Sequence, residues 1–147
     1  MGSHLLSKSS FIRGVQCEKH LYLYKYHYKE MDQLSDMQKA IFKRGTDVGK
    51  LAQQLFPGGI DASPESQFEY DKAVVVTKNL LNEKQKVIYE ASFSFSDVLA
   101  IADIVVNEKS GLKVFEVKSS TSISETYIRD AALQYWVISN CGYKIKD

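Results

Sequence analysis

VLAIADIVVNEKSGLKVFEVK, residues 98–118, is the stretch whose reading decides the fold. From Val98 to Val106 it is nearly all apolar, as in a strand buried on both faces, with one carboxylate, Asp103, inside it. NEKSG (107–111) then reads as a hairpin loop, and LKVFEVKSS (112–120) as the returning strand. Residues two apart in a strand point to one face, so Glu116 and Lys118 share a side. The hairpin brings Asp103 within cross-strand reach of both. A carboxylate in so apolar a strand is costly to bury unless a cation partners it.

The pattern extends in both directions from this hairpin. From Lys86 the period is two, with Val87, Tyr89, Ala91, Phe93 and Phe95 on one face and Ile88, Glu90, Ser92 and Ser94 on the other. A Ser96-Asp97 turn joins this strand to the apolar one, which makes a three-strand antiparallel meander. Downstream, a helix is expected from about Ser124 to Asn140, with Ile128, Ala131, Tyr135 and Ile138 facing the core and Gly142 as its stop. YKIKD (143–147) then begins one more strand, which the chain cuts short.

Upstream lie helices. Ser7 is an N-cap for the segment running to Glu30, where Phe11, Val15 and Leu23 keep helical spacing although Tyr22, Tyr24, Tyr26 and Tyr28 alternate. Asp36 to Leu55 carries Met37, Ile41, Val48, Leu51, Ala52 and Leu55 at threes, fours and sevens, and Pro57-Gly58-Gly59 stops it. A third helix follows Ser63-Pro64-Glu65 with Phe68, Ala73, Val76, Leu80 and Leu81. The plan is α+β, with N-terminal helices, the meander, then a helix.

The chain has 147 residues, 44% hydrophobic and 25% charged, which is ordinary globular composition for a single domain. Residues 1–4 read as an expression-tag remnant and 5–147 as the domain. Nineteen Lys and Arg against eighteen Asp and Glu leave +1, so bulk charge names no partner. Cys17 and Cys141 form no CxxC pair, and no run is apolar enough to span a membrane. A reducing cytoplasm is the expected compartment.

Two carboxylates beside one ammonium suit a hard divalent cation, which takes oxygen ligands and leaves positions for phosphate oxygens. Such a cation generates hydroxide and stabilises charge on phosphorus, while Lys118 orients the attacking water or offsets developing charge.

In order and context, IADIVVNEKSGLKVFEVKSS resembles the Asp…Glu-x-Lys core of the PD-(D/E)XK nuclease superfamily. DAALQYWVISNCG resembles the glutamine-bearing helix of its RecB-like branch, and SKSSFIRGVQCEKHLYL and RGTDVGKLAQQLFPGG resemble the first helices of RecB-like and CRISPR-adaptation nucleases. The resemblance covers most of the chain. It implies a restriction-endonuclease-like core that hydrolyses DNA, single-stranded or at its ends, with Mg²⁺ or Mn²⁺. Asp103, Glu116 and the Val117 carbonyl would hold the metal, Lys118 would assist the nucleophile, and Gln134 would contact substrate or brace the site.

The chain departs from the family in three places. Gly49 stands where many RecB-like members carry a metal-binding histidine. Cys17 matches an iron–sulfur ligand of some relatives, but no late cysteine triplet follows, so this chain alone does not complete that cluster. The last strand of the core is incomplete, so the chain is expected to be an N-terminal fragment whose open sheet edge invites a homodimer.

Blander readings accompany these residues. Glu90 reads either as a support for the site or as an exposed strand charge. His20 and His27 read as surface or packing residues, Cys17 as a buried small hydrophobe, and Cys141 as inert. The basic and aromatic texture of Lys8–Glu30 suits either a nucleic-acid groove or helix packing. The second functional expectation is a cleavage-incompetent nucleic-acid-binding or protein-interaction module that keeps the fold.

Overall fold

The computed structural model describes residues 6–66 and 69–147. Ser7 closes a two-residue strand β1 (Leu6–Ser7) and caps α1 (Lys8–Gln16), its Oγ accepting from the Ser10 N–H. Cys17, extended at φ −167°, breaks the helical run, and α2 (Glu18–Tyr26) and a 3₁₀ turn at Tyr28–Glu30 follow. The segment expected as one helix is therefore two. Cys17 at the break is exposed, not buried as its composition suggests.

Ser35 and Gln38 form a reciprocal capping box at the start of α3 (Asp36–Gln53). The apolar repeat that reveals α3 is mostly uncovered: Met37 is 76% and Leu55 78% exposed, and only Val48, Ala52 and the following Phe56 are half-buried. A short strand β2 (Ile60–Asp61) leads to α4 (Tyr70–Asn82), which buries Ala73, Thr77 and Leu81 and leaves Val76 outside. Phe68 lies outside the described residues.

The meander forms as the sequence indicates: β3 (Val87–Phe95), β4 (Val98–Glu108) and β5 (Gly111–Phe115), each antiparallel to the next. Ser96 and Asp97, at φ 47° and 61°, make the two-residue turn that matches strand twist. The second hairpin is tighter than expected, because Asn107 and Glu108 still pair with Leu112 and Gly111. β1 and β2 add parallel edges, β1 on β4 at Val98–Leu99 and β2 on β3 at Ile88–Tyr89. Both β1 and β5 lie on the same side of β4, at opposite ends. Between them, that side of β4 has no strand partner from Ala100 to Asp103.

The β3–β4 ladder keeps one register throughout, yet its pairing lapses at one position, where Glu90 stands opposite Asp103. Glu90 has φ 53°, a left-handed conformation that a non-glycine residue adopts at a cost. The faces of both strands invert there. Val87 and Tyr89 join Ile104, Val106, Phe115 and Phe56 in one apolar cluster. Ala91, Phe93 and Phe95 lie instead in the main core, with Ile88, Ala100, Ala102, Val105, Leu81, Val137 and Ile138. The uniform alternation expected along 87–95 therefore does not hold, and the two carboxylates sit at the switch.

α5 (Glu125–Asn140) forms over the span expected and is capped by Ser124, but its buried stripe is Asp130, Leu133, Gln134, Val137 and Ile138. Ile128 and Tyr135 face solvent, and of the four residues expected in the core only Ile138 is buried. Two polar residues on the inner stripe rotate the helix away from the orientation its hydrophobicity suggests. After α5 the chain returns parallel to β5, with a bridge between Leu112 and Ile145. Leu112 N donates to Lys144 O at 2.8 Å, and Val114 N to Asp147 O at 2.8 Å. The edge expected to be open is thus partly covered by the chain's own last residues. The mixed sheet with helices against it is an α+β architecture. Among the described residues no helix is long and apolar enough to cross a membrane.

A candidate active site at the lapse in the sheet

β5 ends at Phe115, so Glu116 and Lys118 leave the strand instead of continuing it. Their side chains meet nonetheless. Where the ladder stops, the Asp103 carboxylate takes over, its Oδ2 accepting from the Val117 N–H at 2.6 Å. A side chain thereby replaces a strand partner and turns the 116–118 segment toward α1 and α5. At Val117 it is the amide that contacts Asp103.

Glu116 is the hub. Its Oε1 accepts from Lys8 Nζ at 2.8 Å and from Lys118 Nζ, and its Oε2 from Gln134 Nε2 at 2.7 Å. Lys118 also donates to Asp130 Oδ2 at 2.9 Å, and Lys8 stands 3.6 Å from the same oxygen. Five residues from α1, the 116–118 segment and α5 so form one network, with Asp103 attached through Val117. Asp130 is 5% and Gln134 2% exposed, and each keeps one buried oxygen without a hydrogen-bond partner. Buried polar atoms seldom stay unpaired, and these two oxygens are the open acceptors of the network.

The charges respond to this arrangement in opposite ways. Burial pushes Asp103 up, and the nearby Glu116 adds to that, against the Val117 N–H and the two lysines. Burial would raise Glu116 too, but Lys8, Lys118 and Gln134 outweigh it and hold that carboxyl below its ordinary value. Burial would lower Lys118, yet its bonds to Glu116 and Asp130 push it above the usual ammonium range. Glu90, half-buried and facing Asp103 and Asp61, is pushed up to about 7.

Glu90 gives a pH prediction. Its folded-state value lies above the ordinary 4.5. Between those pH values the folded protein binds the extra proton, so stability is lost as pH rises through the window. Glu90→Gln will remove that loss, stabilising the metal-free protein relative to wild type at pH 8 but not at pH 4.5. The expected gain is about 1–2 kcal/mol after allowance for solvent screening. Urea midpoints at the two pH values, in chelator, check it, and an unchanged difference between variant and wild type rules it out.

The residues can be compared with the demands of a divalent metal. Among the described residues no three His, Cys, Asp or Glu side chains converge on one cation position. The donor chemistry nonetheless fits Mg²⁺ or Mn²⁺: all-oxygen ligands, with two carboxylates, Asp103 and Glu116, whose mutual repulsion a cation relieves. Any cation reaching Glu116 competes with the Lys8, Lys118 and Gln134 bonds.

Cavities flank the hub on two sides. One of about 320 Å³ runs between β5 and α5, with Val114, Ala131 and Ile145 as apolar walls and Glu116 and Gln134 on its lining. The other, about 370 Å³, lies between α1 and α5 and is lined by Lys8, Arg13, Lys118, Tyr127 and Asp130 among others.

Of the residues expected from sequence, Asp103, Glu116, Val117, Lys118 and Gln134 come together, and Glu90 joins them from across the ladder. Lys8 and Asp130 are the additions. Lys8 is distant in sequence, and Asp130 looks like a surface charge; their only signals were the N-cap next to Lys8 and the Asp130–Gln134 spacing of one helical turn. His27 pairs with Glu30 away from the hub, whereas the exposed His20 is on the lining of the cavity between α1 and α5. Burial raises the half-buried Cys141 thiol, which donates to Ser94 O. Comparison with protein-family models, with curated proteins and with solved structures finds no match.

Proposed function

We propose that this chain is a divalent-metal-dependent nuclease that hydrolyses DNA phosphodiester bonds, with the restriction-endonuclease-like core its sequence resembles. The observation that carries the reading is the Glu116 hub, in which Lys8, Lys118 and Gln134 from separate elements meet one carboxylate beside Asp103. Asp103 and Glu116, with the Val117 carbonyl, are the groups that would hold Mg²⁺ or Mn²⁺. When bound, such an ion supplies a hydroxide nucleophile and neutralises charge on the phosphate.

The protein groups do the rest. Lys118, fixed by two carboxylates, stays an ammonium and acts as a positive charge for the phosphate oxygens, not as a base. Asp130 holds that ammonium in place from the buried face of α5. Gln134 orients Glu116 and keeps an unpaired oxygen for a substrate or water donor.

A specific observation also favours a second reading, a cleavage-incompetent binding module: internal donors already occupy both Glu116 oxygens. Calorimetric titration with Mn²⁺ separates the two. The nuclease reading expects saturable binding with cleavage of a labelled oligonucleotide, reduced to background by Lys118→Ala. Salt-sensitive DNA affinity with no Mn²⁺ binding and no cleavage would instead establish the module.

A further inference from the structure

The cavity between α1 and α5 has a chemistry of its own. At about 370 Å³ it falls within the range of small-ligand sites, roughly 300–1,000 Å³. Lys8, Arg13 and Lys118 bring three cations to its lining. Glu116 and Asp130 balance the two lysines, which leaves one positive charge, on Arg13. Arg13 has no carboxylate partner among the described residues: one of its terminal nitrogens donates to Ser9 O at 3.2 Å, and its guanidinium lies 4.0 Å from the Tyr24 ring centroid. Its Nε is buried without a hydrogen-bond partner. A guanidinium stacked on an aromatic ring is held in one orientation, and its planar fork matches two phosphate oxygens. Ile12 and Tyr127 supply apolar wall beside it, suited to a sugar or an unstacked base.

We propose that this cavity binds a backbone phosphate of single-stranded nucleic acid, the one neighbouring the phosphate at Glu116, with Arg13 as its anchor. That the adjacent phosphate is the one cleaved rests on the nuclease reading; the phosphate site itself does not. The apolar wall of Ile12 and Tyr127 beside Arg13 suits an unstacked base, which a single strand offers and a duplex does not.

The test is fluorescence anisotropy of a labelled DNA single strand in chelator, over a range of salt concentrations. Arg13→Gln is expected to weaken binding about tenfold and to reduce the slope of log affinity against log salt by about 0.7, the value for one lost phosphate contact on a single strand. Lys39→Gln, on the exposed face of α3, changes neither by more than about twofold. Gln16 lies exposed on the cavity rim, so Gln16→Lys should tighten binding and Gln16→Glu weaken it without touching the core. Unchanged affinity in Arg13→Gln, equal losses in Arg13→Gln and Lys39→Gln, or indifference to both Gln16 changes would overturn the site.

Hydrolysis of bis(p-nitrophenyl) phosphate with Mn²⁺ keeps the two readings apart, because that diester has no neighbouring phosphate. Hydrolysis with no Arg13 effect on oligonucleotide binding removes the phosphate site and leaves the nuclease. An Arg13 effect on binding without hydrolysis removes the nuclease and keeps the phosphate site.

Discussion

Glu116→Ala will abolish saturable Mn²⁺ binding and lower phosphodiester cleavage by at least about 10³-fold, the scale of losing a principal electrostatic group in an active site. Three donors converge on this carboxylate, so its removal acts in two ways. One of the two proposed metal-binding carboxylates disappears. Lys8 and Lys118 are left with Asp130 alone, at 3.6 and 2.9 Å, and repel each other. Gln134 loses its acceptor inside a buried face. The fold survives, because the lysines remain partly open to water and relax outward; a modest stability loss of about 1–2 kcal/mol is expected. Calorimetry and an oligonucleotide assay on the same sample are the measurements. Undiminished Mn²⁺ affinity in the variant would remove Glu116 from the metal site.

Ile138→Ala is expected to produce the largest loss of stability, about 2–5 kcal/mol. Ile138 is 0% exposed and packs among Ile88, Ala91, Phe93, Val105 and Val137. Truncating it leaves a cavity that strands on one side and a helix on the other cannot readily close. The melting temperature should fall by about 5–15 °C, given roughly 2–4 °C per kcal/mol for a chain of this size. Ile138 lies on the same stripe as Asp130 and Gln134, eight and four residues before it, so catalysis should weaken well below that melting point too. Thermal denaturation followed by circular dichroism decides the matter; a loss below about 1 kcal/mol would mean that α5 is not seated on the sheet as described.

Much of this arrangement is legible in the residues. The meander follows from period-two patterning and an apolar run, and the Asp103, Glu116 and Lys118 set follows from charges that such a hairpin brings together, while Gln134 is signalled by the family resemblance alone. What escaped has physical causes. The inner stripe of α5 carries Asp130 and Gln134, so a reading that puts apolar residues inside rotates that helix the wrong way. The inversion at Glu90 comes from one left-handed residue, which no alternation of hydrophobicity reports. The repeat in α3 is strong, yet the described residues leave most of it uncovered, because amphipathicity marks a helix without naming what lies against it. Lys8 was invisible for a different reason: sequence proximity says nothing about a partner 108 residues away.

That separation governs the order in which the molecule can be assembled. The Lys118–Asp130 pair closes over 12 residues, whereas Lys8 reaches Glu116 over 108. Loop-closure entropy grows with the logarithm of length, so the longer span costs roughly 2 kcal/mol more before any contact repays it. The meander and α5 can come together locally, but α1 is synthesised first and finds its ammonium's partner only after β5 has emerged. Until then the nascent chain carries Lys8 with no carboxylate hub to meet. Completion of the hub is therefore a late event in folding, and the protein gains its candidate chemistry only once its two ends have found each other.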